Sequence, residues 1–257
     1  RGVTLTGSDK AGRTVAQKAA SVTKKTVLEL GSNDAYMIFD DADLDKAIKT
    51  CVQGRLFNNG QTCVNAKRFI VTEKNYDAFV KGYAEAFAAI EMGDPTQDGT
   101  KLGPLVSKSQ RDQVHKQVEA SIEKGARLVA GGTVPDRTGW FYPATALADV
   151  TPGQPAYDDE IFGPVASIIK AKDDEDAMRI ANDSRYGLGG GIFSKDEARA
   201  IKMASDYFDT GMVNINTYAI AQPNMPFGGV KDSGYGREHG EVGLKEFANV
   251  KSITIGG

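Results

Sequence analysis

TVLELGSNDAYMIFDDADLDKAIKTCVQGRLFNNGQTCVNAKRFIV, residues 26–71, changes its apolar period several times. TVLEL (Thr26–Leu30) and YMIF (Tyr36–Phe39) are apolar runs of strand length. From Asp43 to Phe57, Leu44, Ile48, Val52 and Leu56 recur at helical spacing, and RFIV (Arg68–Val71) returns to a strand pattern. Strand, helix and strand in that order imply a crossover between parallel strands.

The alternation continues outward in both directions. Upstream, GVTLT runs into the turn GSDKAG and a helix. Downstream, Tyr76–Ile90 places Phe79, Val80, Tyr83 and Phe87 on one side of a helix, and Ser107–Glu123 is a polar helix before RLVA (Arg127–Ala130). VASII (Val165–Ile169), a helix over Asp174–Asn182, GGIF (Gly190–Phe193), a helix over Ala198–Ser205 and MVNIN (Met212–Asn216) follow. SITI (Ser252–Ile255) reads as a last strand. The expected fold class is α/β, with a doubly wound, mostly parallel sheet. The chain opens on a strand with no earlier partner, which leads us to expect that sequence belonging before Arg1 is missing.

The chain has 257 residues and a formal net charge of −3, a balance that argues against nucleic acid or an anionic membrane as the main partner. No apolar run reaches the roughly 20 residues that a membrane helix needs. Two cysteines cannot build a disulfide framework, and neither sits in a zinc-like cluster, so no metal is expected and a reducing cytoplasm fits.

Cys63 lies in NNGQTCVNAKRF, a loop rich in glycine and amides whose N–H groups could lower a thiol pKa and receive an oxyanion. A loop cysteine is also often structural. Cys51 shares a helical face with Ile48 and Val52 and reads as a small buried hydrophobe. His115 and His239 have no partner motif nearby, which leaves a papain-like Cys/His pair open but unsupported. Glu29 interrupts the apolar run TVLEL at its C-terminal end, where open parallel sheets place ligands. Two readings fit it: a general base whose pKa is raised by apolar surroundings, or a solvated strand end.

GVTLTGSDKAG, VLELGS, FNNGQTC, DDEIFGPV and MPFGGVKDSGYGRE occur in that order. Together they resemble the signature segments of the NAD(P)-dependent aldehyde dehydrogenase superfamily, over nearly the whole chain. The resemblance implies that Cys63 is the nucleophile, passing through a thiohemiacetal and a thioester, and that Glu29 activates the hydrolytic water. It implies NAD or NADP as cofactor, with Gly7 and Ser8 at the pyrophosphate turn, Leu30 beside the cofactor, Glu160 on the nicotinamide ribose and Phe162 near the nicotinamide ring. Glu238 matches a second glutamate assigned to proton relay, and residues 216–221 a loop lining the aldehyde entrance. Ser32 stands where such proteins commonly carry glycine.

The resemblance further implies a tail of a Rossmann-like cofactor domain over residues 1–31, a catalytic domain over 32–229, and a return segment over 230–257. SITI would pair across subunits, giving a homo-oligomer, dimer or tetramer. With the upstream part absent, weak cofactor binding and poor turnover by this chain alone are expected. Within the superfamily the flavour is closest to succinate-semialdehyde dehydrogenases, with Arg55 as a candidate partner for a substrate carboxylate. A coenzyme A-acylating relative is disfavoured by Glu29, because such relatives typically lack that base. A non-catalytic folded core remains the other alternative.

Overall fold

A computed structural model describes residues 2–257. The elements in chain order are β1 (Gly2–Thr6), α1 (Asp9–Ala20), β2 (Lys25–Glu29), β3 (Ala35–Ile38), α2 (Leu44–Leu56), β4 (Arg68–Thr72) and α3 (Glu73–Ala88). Next come α4 (Lys108–Glu123), β5 (Arg127–Ala130), β6 (Thr145–Ala148), α5 (Pro155–Asp158), β7 (Val165–Ala171) and α6 (Asp174–Asn182). Then follow β8 (Tyr186–Gly187), β9 (Gly190–Phe193), α7 (Glu197–Tyr207), β10 (Asn214–Ile215), β11 (Val230–Lys231), β12 (Gly234–Tyr235) and α8 (Gly240–Glu246). The side chains of Ser8, Asp43, Ser107, Asp173 and Asp196 accept a first-turn N–H and so fix the starts of α1, α2, α4, α6 and α7.

Seven strands form the main sheet in the order β10-β9-β3-β4-β7-β6-β5. Every pairing in it is parallel except β5 with β6. Side chains alternate strictly between its faces. Met37, Ile70, Ile169 and Ile192 join the core under α4, α5, α6 and α7, while Tyr36, Phe69, Ile168 and Phe193 join the core under α2 and α3. Both faces are therefore covered, which explains why these strands read as continuous apolar runs. The doubly wound α/β expectation holds.

A smaller sheet has the order β1-β2-β12, with β1 parallel and β12 antiparallel to β2. The opening strand, which has no earlier partner, pairs instead with the later strand β2. The chain closes back onto its beginning at β12, because Gly234 and Tyr235 register against Glu29 and Leu28. SITI forms no strand: Val250, Ile253 and Ile255 are almost fully exposed and the segment is irregular. A lone edge segment without a neighbouring ladder has no backbone partners to hold it extended. MVNIN shrinks to β10, and β6, short and alanine-rich, escaped the sequence reading. No helix among the described residues is long and apolar enough to cross a membrane.

Candidate active site

The link Leu30–Asp34 carries the chain from the C-terminal end of β2 directly to the N-terminal end of β3. β4 pairs with β3 from Ala35 and Arg68 onward, so the loop that precedes β4 arrives at the same edge. Lys67 and Arg68 N–H groups both donate to the Asp34 carbonyl, at 3.1 and 3.0 Å. In this way two sheet ends bring Glu29 and Cys63 together, close enough for the Glu29 charge to act on the thiol.

The Cys63 loop is built on strained backbone and buried polar clamps. Asn58 and Asn59 adopt left-handed conformations, φ 49° and 57°, and Gly60 follows at φ 73°. A Cβ on Gly60 would lie 2.2 Å from the Gly163 carbonyl oxygen, so only glycine fits there. Asn65, fully buried, accepts from the Thr62 N–H at 2.8 Å and donates to the Gly54 carbonyl at 2.8 Å. Cys63 itself is half-buried. Its backbone N–H makes no hydrogen bond among the described residues, whereas its carbonyl accepts from Ser32 Oγ and from Lys67 Nζ.

Burial pushes the Cys63 thiol up to about 11, and the carboxylates of Asp34, Glu160 and Glu29 add to this while Lys67 opposes it. The lowering that the amide-rich loop could have given is therefore corrected: desolvation and three nearby carboxylates raise the thiol pKa. Cys51 is fully buried and its thiol is also pushed well up, in keeping with a core residue.

Glu29 is 1% exposed, and neither carboxylate oxygen has a hydrogen-bond partner among the described residues. Burial first, and the Glu238 charge second, push its carboxyl up to about 8 against the pull of Arg237. The solvated strand-end reading is thereby excluded. Glycine at 228 leaves room for the carboxylate, since a Cβ there would lie 2.8 Å from Oε1.

Gly7 and Ser8 form the turn into α1; the Gly7 N–H donates to the Glu29 carbonyl at 2.9 Å, and Ser8 is the N-cap. The first-turn carboxylate of Asp9 is held by Arg185 at 2.8 Å, which offsets its repulsion of an anion. Leu30 is buried against Gly12, where a Cβ would meet its side chain at 2.6 Å. Glu160 reaches Lys67 at 3.3 Å and lies against Gly31, where a Cβ would be 2.8 Å from its Oε2. Phe162 is half-buried, its carbonyl accepting from Gln110 at 2.8 Å. A cavity of about 270 Å3 is walled by Asp34, Tyr36, Val64, Asn214, Gln222 and Phe227, with Ala219–Ala221 from the expected entrance loop. Its wall reaches Val64, next to the thiol, though among the described residues neither Cys63 nor Glu29 lines it.

One expectation fails. Arg55 faces no substrate: it is fully buried and donates to the carbonyls of Gly60 at 2.7 Å, Gly163 at 2.6 Å and Ala66 at 3.3 Å. It ties the end of α2 to the Cys63 loop and the Glu160 loop. Arg55→Met should lower the unfolding free energy by at least about 3 kcal/mol, because charge-assisted bonds to buried carbonyls are lost. Urea denaturation measures this; unchanged stability with a raised KM for aldehyde would restore the substrate role. The histidines also stay apart from the thiol. His115 bonds Tyr142 and pairs with Glu119, His239 lies tilted against the Phe227 ring, and among the described residues neither bonds Cys63. Sequence reading missed Lys67, which is 3% exposed and central to the cluster; a lysine four residues after the candidate nucleophile was the available signal.

The model of the aldehyde dehydrogenase family matches residues 1–253. Succinate-semialdehyde dehydrogenases [NADP(+)] of Mycolicibacterium paratuberculosis and Deinococcus radiodurans are each 46% identical over 253 residues, 98% of this chain and 53% of theirs. The chain thus spans about half the length of the curated relatives it matches. The crystal structure of succinic semialdehyde dehydrogenase from Streptococcus pyogenes, in complex with NADP+, superimposes with a TM-score of 0.96 at 44% identity, covering 100% of this chain and 56% of that one. A Mycobacterium tuberculosis aldehyde dehydrogenase complexed with NAD+ gives 0.91 at 41% identity, over 95% of this chain and 50% of that one. With its sheet order, its Glu29–Cys63 edge and these matches in agreement, the chain belongs to the aldehyde dehydrogenase family.

Proposed function

We propose that this chain carries the reacting residues for NADP+- or NAD+-dependent oxidation of an aldehyde, succinic semialdehyde in the first instance, to its carboxylic acid. The observation that carries the reading is the shared edge: a half-buried thiol with a free backbone N–H beside a buried carboxylate with no partner. The Cys63 thiolate attacks the aldehyde carbon, and the Cys63 N–H receives the oxyanion of the thiohemiacetal. The dinucleotide, when bound, supplies the hydride acceptor through which the thiohemiacetal becomes a thioester. Glu29 then takes a proton from water as that water attacks the thioester carbon, releasing the acid and the Cys63 thiolate.

The residues present fit such a dinucleotide. Glu160 Oε1 is buried and accepts no hydrogen bond among the described residues, facing only the Lys67 charge at 3.3 Å, which suits it to accept from ribose hydroxyls; the Gly7–Ser8 turn opens a helix whose acidic first residue is already paired. Phe162 and Leu30 would supply apolar contacts, and Glu238 would pass protons to Glu29. The names of the relatives support the semialdehyde substrate. The cavity offers the amides of Asn214 and Gln222, and no lysine or arginine is in its wall among the described residues. The exposed apolar tail around Ile253 supports assembly with further copies of the whole protein.

Intact-mass analysis after adding succinic semialdehyde with NADP+ or NAD+ tests the reading. One acyl group on Cys63, dependent on the dinucleotide, is the expected result. No adduct, while Cys63 still alkylates with iodoacetamide, would discard this substrate.

A further inference from the structure

We infer that Lys67, assisted by Ser32, is a positioning residue for Cys63: its buried ammonium grips the carbonyl of the nucleophile and supplies the positive charge that its thiolate faces. The inference rests on the proposed role of Cys63.

Lys67 is 3% exposed, and an ammonium is costly to desolvate unless every proton finds an acceptor. It finds the Cys63 carbonyl at 2.6 Å, Ser32 Oγ at 3.0 Å and the Thr62 carbonyl at 3.2 Å, and it pairs by charge with Glu160 Oε1 at 3.3 Å. Ser32 donates to the same Cys63 carbonyl, so one backbone oxygen is held from two sides. This leaves the N–H of Cys63 free on the other side of the residue.

A merely structural lysine would be redundant here. Asn65 and Arg55 already fix the loop through the carbonyls of Gly54, Phe57, Gly60 and Ala66. What Lys67 adds is charge. The groups facing the thiol are the carboxylates of Asp34, Glu160 and Glu29 and the phenol of Tyr218, all of which disfavour a second anion. Lys67 is the ammonium set against them, and Glu160 partly neutralises it. Glu160 thus restrains the thiolate both directly and by pairing with Lys67.

The test is the rate of Cys63 alkylation by iodoacetamide between pH 7 and 11, read by peptide mass spectrometry, with Cys51 as the internal reference for folding. Lys67→Met should slow labelling at pH 8 about tenfold, a shift of about one pKa unit upward. Lys67→Arg, which keeps the charge, should recover most of the rate, and Glu160→Gln should increase it. Wild-type labelling in Lys67→Met with Cys51 still protected would overturn the inference. Should Lys67→Met expose Cys51, Glu160→Gln decides alone: faster labelling of Cys63 supports the inference, and unchanged or slower labelling overturns it. The nucleophile role has its own readout. Absence of an aldehyde adduct in the wild-type chain would refute that role while leaving the effect of Lys67 on the thiol measurable.

Discussion

Cys63→Ala should remove the proposed aldehyde oxidation, lowering turnover of the whole enzyme by roughly 10^4-fold or more, because the other thiol of this chain cannot form the covalent intermediate. Cys51 cannot substitute: it is fully buried in the core beneath α2 and α3. The burial that pushes the Cys63 thiol up to about 11 leaves roughly one thiolate in 10^4 at pH 7 in the resting chain. Acylation should therefore accelerate with rising pH, and the measurement is the pre-steady-state burst of reduced cofactor against pH. A burst surviving in Cys63→Ala would place the nucleophile elsewhere. Cys63→Ser should also lack the burst, since a hydroxyl ionises far less readily than a thiol.

Glu29→Gln should have the second largest effect, and of a different kind. The burst should persist while steady-state turnover falls by about 10^2–10^4-fold, the range expected for loss of a general base. Mass spectrometry should then show acyl-enzyme accumulating on Cys63. A base acts only when deprotonated, so wild-type deacylation should climb with pH and level off above about 8, a limb that Glu29→Gln should lose. The same carboxyl affects stability. The folded chain holds this proton up to about 8, whereas an unperturbed glutamate releases it near 4.5. The native state therefore binds more protons in that window, and Glu29 lowers stability as pH rises through it. Thermal midpoints of Glu29→Gln should gain on wild type from pH 5 to pH 8. Parallel midpoint curves, with wild-type turnover, would show that Glu29 is solvated and not the base.

Much of the architecture was legible because its signals are local. The apolar runs of β3, β4, β7 and β9 are continuous because both sheet faces are covered, and the Ser and Asp caps mark helix starts within three residues of the bond they make. Elements without such signals were lost. β6 is short and alanine-rich, and β11 and β12 are two-residue pairings whose partners, β8 and β2, lie far away in the chain. SITI, expected to pair across subunits, is irregular in the single chain, because a strand forms only where a ladder is available.

The sequence alone established the order of strands and helices, the family resemblance, and Cys63 and Glu29 as the residues to test. It could do so because spacing, residue type and motif order are properties of the chain itself. Protonation and burial were decided by the tertiary structure. Arg55, Lys67 and Arg68 look alike as charged letters, yet the fold buries all three and gives each a distinct set of acceptors. The thiol expected to be acidified is instead held protonated, and the glutamate that could have been solvated is desolvated without a partner. A pKa depends on desolvation and on charges brought from distant segments, here Asp34, Glu160 and Glu238. Those segments meet only when β2, β3 and β4 deliver their ends to one edge.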